Sequence, residues 1–347
     1  MSSLFRKIIA RPNIAIDLGT ANTRIYAFEQ DMITEEPSLV RNIRQDKDDN
    51  DNNNQDAYIA YLNSRLASFP LRGGVVVDVN SAVKLLKPLF KRVNTGLRRP
   101  VSLACAPTDT SEKERNLLAE AIISAGCSHV AIIPEPWAAA IGAGIDPELP
   151  SSQLLIDIGE GVTDMAVIRD GKFIFTSAIR TACFDIHQAV RTAIISRYRV
   201  FVYPSDIERL THKVDTILES TTCPLETITV KGMNIVRRCE VAIEVSNMEI
   251  ISAIEPVIYK ILKMIETSLG KLPKNIYNEI SRSGICLTGG GSCIKGMERI
   301  LSLRTNLKVK IAPDPTHAVI KGASQTLKYW EKQEFWWKNI VWPILSS

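Results

Sequence analysis

Apolar and polar positions along the chain fall into two alternating kinds of segment. Alternating or wholly apolar runs predict strands at Asn13–Phe28, Val75–Val79, Val101–Ala106, Val130–Ile133, Leu154–Ile158, Thr163–Arg169, Lys172–Ile179 and Ile285–Thr288. The first run is broken by a turn at Gly19-Thr20-Ala21-Asn22, and Asp170-Gly171 between two alternating runs is a strong hairpin signal. Helical spacing appears over Ser81–Val93, where Val83, Leu86, Leu89, Phe90 and Val93 are apolar. Ser111 followed by Glu114 reads as a capping box that opens a helix to about Ala125. Pro136–Ala143 is a small-residue helix, and further helices are expected near 184–198, 204–219, 247–269 and 295–301. Strand and helix thus alternate twice, with a hairpin near the start of each half. This pattern predicts an α/β fold of two related lobes facing each other across a cleft.

The length of 347 residues suits two domains, or one large fold with a cleft. Hydrophobic residues at 45% and charged residues at 23% exclude a collagen, a mainly disordered chain and a small disulfide scaffold. Lys+Arg 42 against Asp+Glu 38 is too balanced for a general nucleic-acid binder. No apolar run reaches the roughly 18 residues of a spanning helix. Ile8-Ile9-Ala10 before Arg11 is too short for the apolar core of a signal peptide. The seven cysteines form no CxxC pair, so they read as reduced core thiols of a cytosolic protein. Gln45–Asp56 is a polar low-complexity stretch expected to be a solvated loop.

The two ends depart from this average. Residues 3–10 have helical spacing that gathers Leu4, Phe5, Ile8 and Ile9 on one arc and Arg6, Lys7 and Arg11 on the other. Such a basic amphipathic helix suits an anionic membrane surface; the alternative is a leader that packs on the body. Four of the five tryptophans (Trp330, Trp336, Trp337, Trp342) lie in the last 18 residues, interspersed with Glu331, Lys332, Glu334 and Lys338. Tryptophan beside basic residues suits a headgroup interface or a partner; the alternative is a tail packed on the first lobe.

Three glycine turns carry the candidate chemistry. Each follows a buried strand: Asp17-Leu18-Gly19-Thr20-Ala21-Asn22-Thr23, Asp157-Ile158-Gly159-Glu160-Gly161-Val162-Thr163, and Leu287-Thr288-Gly289-Gly290-Gly291-Ser292. Glycines let backbone N–H groups approach phosphate oxygens, and Thr or Ser hydroxyls add donors. Asp17 and Asp157 end their strands, where carboxylates can hold hydrated Mg²⁺ against a polyphosphate.

Taken as a set, these motifs resemble the actin-like ATPase superfamily, and within it the bacterial cell-shape proteins of the MreB family. Asp17–Thr23 followed by Ile25-Tyr26 is similar to that family's first phosphate loop, and Glu36-Pro37-Ser38 to the NEPS segment after it. Ile133–Gly144 (IPEPWAAAIGAG) is similar to EEPMAAAIGAG, Leu155–Thr163 to the second phosphate loop, and Gly284–Gly291 to the adenosine loop GIVLTGGG. The likeness runs with gaps from about residue 13 to 330. It implies the actin/sugar-kinase/heat-shock-ATPase-like fold, in which two lobes each have a mixed sheet flanked by helices and the nucleotide cleft lies between them. The implied divisions are an N-terminal helix 1–11, a first lobe of 12–30, 72–148 and 315–330 with a small subdomain 31–71, a second lobe of 149–180 and 243–314 with a small subdomain 181–242, and a tail 331–347.

The resemblance also implies roles. Glu135 and Thr163 are the expected catalytic residues, Glu135 orienting and polarising the attacking water. Asp17 and Asp157 would hold Mg²⁺ through water. Gly19, Thr20, Ala21, Asn22 and Arg24, with Gly159, Glu160 and Gly161, would face the phosphates. Glu208, Arg209, Leu210 and Thr211 stand where the family has ERIK, against ribose and adenine. Gly289, Gly290, Gly291, Ser292 and Cys293 would close the other side of the adenosine. The implied cofactors are ATP and Mg²⁺. The implied partners are further copies of the chain, the inner face of the cytoplasmic membrane, cell-wall elongation proteins and their transmembrane adaptors.

Several positions depart from the family pattern. The second loop reads GEGVT rather than GGGTT, so Val162 replaces a threonine and Glu160 could join the metal's water shell. Arg24 replaces the usual Leu and either points at the β/γ-phosphates or is a surface arginine. The family's RIGGD reads Arg180-Thr181-Ala182-Cys183-Phe184, without either glycine or the acid. The expectation is therefore a membrane-associated, ATP-dependent filament protein with slow hydrolysis. The alternative is a degenerate adaptor that binds ATP, hydrolyses poorly and tethers other filaments.

Overall fold

The computed structural model describes residues 13–41, 67–93, 99–213, 226–328 and 341–345. The amphipathic segment with Leu4, Phe5, Ile8 and Ile9, the Gln45–Asp56 stretch, residues 214–219 of the helix expected over 204–219, and Trp330, Trp336 and Trp337 lie outside the described residues.

The main strands are β1 (Ile14–Leu18), β2 (Asn22–Ala27), β3 (Met32–Pro37), β4 (Val101–Ala106), β5 (His129–Pro134), β6 (Gln153–Ile158), β7 (Thr163–Arg169), β8 (Lys172–Ile179), β9 (Val200–Val202), β10 (Thr227–Asn234), β11 (Glu240–Ser246), β12 (Ile285–Thr288), β13 (Val309–Ile311) and β14 (Trp342–Leu345). The helices are α1 (Val79–Arg92), α2 (Glu112–Ala125), α3 (Glu135–Gly142), α4 (Cys183–Tyr198), α5 (Pro204–Lys213), α6 (Asn247–Gly270), α7 (Lys274–Ser283), α8 (Met297–Thr305) and α9 (Ala318–Lys328). The chain divides into two compact units, Met1–Ala138 with Ile320–Ser347, and Ala139–Val319.

The first unit holds a six-stranded sheet in the order β14-β5-β4-β1-β2-β3. Strands β1, β2 and β3 form an antiparallel meander, and β4 and β5 run parallel to β1. Ile14, Ile16 and Leu18 of β1 and Ile25 of β2 share one core with Leu86 and Leu89 of α1 and Leu118 and Ile122 of α2. Helix α1 starts two residues before Ser81 because the Asp78 carboxylate accepts from the Ser81 backbone N–H and caps it. The strand expected over Val75–Val79 accordingly ends at Val76. The Ser111 capping box forms as expected: Ser111 Oγ accepts from Glu114 N at 3.3 Å, and Ser111 N donates to Glu114 Oε2 at 2.9 Å.

Strand β14 pairs antiparallel with β5 at the edge of this sheet, Trp342 lying opposite Ile132. Pro343 is tolerated there because an edge strand need not donate on both sides. The Arg115 guanidinium sits 4.7 Å from the centroid of the Trp342 ring. Trp342 therefore packs on the first unit, the alternative held open above for the tail.

The second unit repeats the plan. Its five-stranded sheet has the order β8-β7-β6-β12-β13, with β6, β7 and β8 antiparallel and β12 and β13 parallel to β6. Leu154, Ile156 and Ile158 of β6 and Met165 and Val167 of β7 pack with Ile186, Val190 and Ile194 of α4 and Ile250, Ile254, Ile258 and Ile261 of α6. A second, three-stranded sheet β9-β10-β11 completes the unit. Among the described residues, no helix is long and apolar enough to cross a membrane.

Candidate functional site

In the first unit, Asp17, the penultimate residue of β1, is 6% exposed, and the chain turns through Gly19. Gly19 N donates to Asn22 O at 3.1 Å, and a Cβ on Gly19 would lie 2.8 Å from that carbonyl oxygen. The turn is pinned from two directions. Gly74 N donates to Thr20 Oγ1 at 2.9 Å. Ser38, just past β3, donates from its hydroxyl to the Gly19 carbonyl at 2.6 Å and lies 2.8 Å from Thr23 Oγ1. Ser38 N also donates to Ala21 O at 2.8 Å. The Glu36-Pro37-Ser38 motif is thus a latch on the first turn.

Arg24 stands directly opposite Asp17 in the β1/β2 ladder and opposite Glu35 in the β2/β3 ladder. Its guanidinium contacts Glu35 Oε1 at 2.9 Å and Asp17 Oδ2 at 3.4 Å. Glu135 opens α3 immediately after β5 and is 8% exposed. Its neighbourhood with Asp17 is visible in Cys105, buried at the end of β4. Burial pushes that thiol well up, and the charges of Asp17 and Glu135 push it further.

The second unit carries the matching turn. Asp157 is 5% exposed at the end of β6, and Gly159 N donates to Val162 O at 3.0 Å. Thr288, aligned with Asp157 across the parallel β6/β12 pair, donates its hydroxyl to Asp157 Oδ1 at 2.6 Å. Thr163 is fully buried and donates to the Thr181 carbonyl at 2.9 Å. Glu160 Oε1 lies 3.3 Å from His187 Nδ1 of α4. The N–H groups of Cys183 and Phe184 donate to the carbonyls of Gly159 and Glu160 at 3.2 and 2.8 Å.

The third turn is set by close packing. Gly289 has φ +81°, and a Cβ there would lie 2.2 Å from the Ile158 carbonyl oxygen. A Cβ on Gly291 would lie 2.2 Å from Ile158 Cγ2, whereas Gly290 faces open space. Ser292 donates to the Gly289 carbonyl at 2.7 Å, and Cys293 is exposed. On α5, Glu208 and Arg209 are exposed while Leu210 and Thr211 are fully buried. Arg209 pairs with Asp206 at 2.9 Å, and Thr211 donates to the Glu208 carbonyl at 2.8 Å.

The buried Cys183 thiol ties these pieces together. Burial raises it well above its ordinary value, and the charges of Glu160, Asp157, Cys293 and Glu208 add to the rise. Charges on the second turn, the third turn and α5 are thus all within electrostatic reach of one side chain. Ser38, Cys105, Thr181, Cys183, His187 and Thr288 had no role assigned from sequence. Strand registers place Cys105 and Thr288 beside the turns, and the packing of α4 and of the loops after β3 and β8 places the other four.

Among the described residues, no group of three or more His, Cys, Asp or Glu could hold a metal ion. Each unit offers one buried carboxylate beside its glycine turn, Asp17 in the first and Asp157 in the second, a hard oxygen donor of the kind that meets a hydrated cation through its water.

Duplicated units of three antiparallel and two parallel strands, each with an Asp-x-Gly turn, define an actin-like architecture. The MamK double helical filament has this fold, with a TM-score of 0.71 at 17% identity over 91% of this chain and 98% of that one. The chain belongs to the MreB/Mbl family, whose match runs over residues 11–334. It is 29% identical over 326 residues to the cell shape-determining protein MreB of Escherichia coli (strain K12), covering 91% of this chain and 93% of that one. The cell shape-determining protein Mbl of Bacillus subtilis (strain 168) is 28% identical over 332 residues, covering 92% and 97%. Among solved structures, MreB5 of Spiroplasma citri bound to AMPPNP has a TM-score of 0.79 at 28% identity, covering 93% and 98%; its ADP-bound form has the same score.

Proposed function

We propose that this chain is a nucleotide-dependent, actin-like filament protein that acts in cell shape at the inner face of the cytoplasmic membrane. The observation that carries this reading is the duplicated turn: Gly19 N to Asn22 O in one unit, Gly159 N to Val162 O in the other, each beside a buried aspartate. Support for the ligand comes from the Spiroplasma citri protein, solved with AMPPNP and with ADP.

In this reading Thr20, Ala21 and Asn22, with Glu160 and Gly161, offer backbone N–H groups and the Thr20 hydroxyl to the phosphates, while Gly19 and Gly159 close the two turns with their own N–H groups. Gly289 to Cys293, with Glu208 and Arg209 on α5, receive the nucleoside. The buried Leu210 and Thr211 hold α5 in place. Glu135 orients the attacking water, and Thr163 positions the second turn through Thr181. When bound, Mg²⁺ neutralises phosphate charge, with Asp17 and Asp157 accepting from its water shell. Subunits stack head to tail with nucleotide bound, and hydrolysis weakens the stack. Residues 1–11 supply the membrane contact, and cell-wall elongation proteins and their transmembrane adaptors are the partners.

One observation favours the adaptor reading for the hydrolysis step. The first N–H groups of α4 are spent on the carbonyls of Gly159 and Glu160, so the Thr181–Phe184 segment serves the loop itself. We therefore propose slow turnover. The test is sedimentation of the purified chain with ATP and anionic liposomes, with phosphate release measured beside Glu135→Ala. Failure to pellet on any membrane removes the filament reading. Assembly without Glu135-dependent phosphate release favours the adaptor. Unchanged liposome binding after deletion of residues 1–11 removes the N-terminal anchor.

A further inference from the structure

The hairpin that joins β10 to β11 in the second unit carries Asn234-Ile235-Val236-Arg237-Arg238-Cys239 at its tip. Ile235 is 45% exposed, and Val236, at 73%, is the most exposed large apolar side chain among the described residues. The backbone beneath this apolar pair has its donors occupied. Val236 N and Arg237 N donate to Asn234 Oδ1 at 3.0 and 2.8 Å. Arg238 N donates to the Asn234 carbonyl at 2.8 Å, and Ile235 N donates to the Arg199 carbonyl at 2.9 Å. Four consecutive N–H groups are thus satisfied within the protein. A tip that docked by strand pairing would turn such donors outward. This one can leave water without stranding them.

The charge around the tip is one-sided. Arg199, Arg237 and Arg238 are exposed, and none of them has an ion-pair partner among the described residues. Arg197, by contrast, is paired with Glu249 at 2.8 Å. The one acid between residues 231 and 240 is Glu240, which stands opposite Met233 at the last pair of the ladder. An apolar point ringed by free guanidiniums matches a surface that is anionic outside and apolar within. A fluid bilayer closes around a convex tip, whereas a folded partner needs a matching pocket.

We propose that this hairpin tip is a second membrane contact, in which Ile235 and Val236 enter the headgroup–acyl boundary of an anionic bilayer and Arg199, Arg237 and Arg238 meet lipid phosphates. This rests on the membrane placement proposed above and adds a contact on the other unit from the one that holds residues 1–11.

The test is partitioning of the full chain, without nucleotide, onto sucrose-loaded vesicles of phosphatidylcholine with phosphatidylglycerol and of phosphatidylcholine alone. Ile235→Ser with Val236→Ser should weaken partitioning onto the mixed vesicles by about tenfold. Arg237→Gln should weaken it by about fivefold there, the share of one basic residue at an anionic surface, and change nothing on phosphatidylcholine alone. Val236→Phe should tighten it by about threefold. Partitioning of the serine pair within about twofold of the natural chain overturns the proposal. A serine pair that partitions normally but alters ATP-dependent pelleting without lipid makes the tip a contact between copies, which also overturns it. Circular dichroism shows whether the serine pair folds. Should it not fold, Val236→Phe decides, and partitioning that is unchanged or weaker overturns the proposal. Binding that is lost on deletion of residues 1–11 but kept in the serine pair leaves the N-terminal anchor standing and removes this one. If the natural chain does not bind the mixed vesicles, the membrane placement itself falls, and that is seen before any variant is made.

Discussion

Ser38→Ala tests how the first turn is held. Ser38 is 2% exposed and Thr23 is fully buried, so the bonds between Ser38, Thr23 and the Gly19 carbonyl are shielded from water. Each neutral hydrogen bond contributes about 0.5–1.5 kcal/mol net, and a buried partner left unmatched costs about 1–3 kcal/mol. Two bonds go in this variant. The Thr23 hydroxyl loses a fully buried partner, while the Gly19 carbonyl is partly exposed and regains water. The expected loss is about 2–4 kcal/mol. The assay can be confined to one unit, because residues 139–319 contain no tryptophan and tryptophan emission therefore follows the first unit alone. With a urea slope of about 2 kcal/mol/M, the emission midpoint should fall by about 1–2 M. A cycle with Thr23→Val should give a coupling of about 0.5–1.5 kcal/mol. A single-variant loss below about 0.5 kcal/mol would refute the latch, since it would place the Ser38 hydroxyl in water rather than in the turn.

Gly289→Ala should unfold the second unit or cost it more than about 3 kcal/mol by far-UV circular dichroism, since φ is +81° and the clash is with backbone that cannot move aside. Gly290→Ala meets nothing within 4 Å and should leave stability within about 0.5 kcal/mol, so any loss of nucleotide affinity there reports on the site alone. Burial pushes the Cys127 thiol from 9.0 up to about 12, so its contribution to stability is complete below pH 9 and is lost as pH rises toward 12. First-unit stability should therefore fall over that range, and Cys127→Ala should flatten the profile measured by urea titration at each pH. Trp342→Ala removes a strand residue and the cation–π contact with Arg115, so the tryptophan-emission midpoint in urea should drop. An unchanged midpoint would mean β14 adds nothing to the sheet.

The parts legible in the sequence are those whose pattern is local. Val101–Ala106, Thr163–Arg169, Lys172–Ile179 and Ile285–Thr288 match their strands residue for residue, because each is apolar throughout or alternates, and is bounded by turn residues. Strand β3 was not expected, since Met32–Pro37 is an edge strand whose side chains are mostly exposed and polar. Strands β10 and β11 give no clear apolar run either, because a three-stranded sheet leaves exposed positions through much of both. The glycine turns announced themselves, but the groups that hold them did not. Ser38 is 19 residues from Gly19, and Thr288 is 131 from Asp157. Such partners follow from which strands lie side by side, and no short window of sequence contains that. The thiols divide in the same way. Cys105, Cys127 and Cys183 are buried as composition suggested, whereas Cys239 and Cys293 are exposed on turns whose exposure depends on tertiary packing.

The two hairpins, set side by side, show what the family pattern keeps and what this chain changes. Asp17, Gly19, Thr23 and Arg24 stand at the same turn positions as Asp157, Gly159, Thr163 and Asp164. Both turns close with the glycine N–H on the residue three further on. Both threonines are fully buried, and each is tied to a residue just past the third strand of its meander, Ser38 in one unit and Thr181 in the other. A shared position with a shared partner in both units argues that Thr163 holds its turn in the way Thr23 does. The next position separates the units. Opposite the strand-ending aspartate there is an arginine in the first and an aspartate in the second. The backbone geometry is duplicated and the charge is opposed. Any difference between the turns in how they treat an anion must therefore come from side chains such as Arg24 and Asp164, not from the fold.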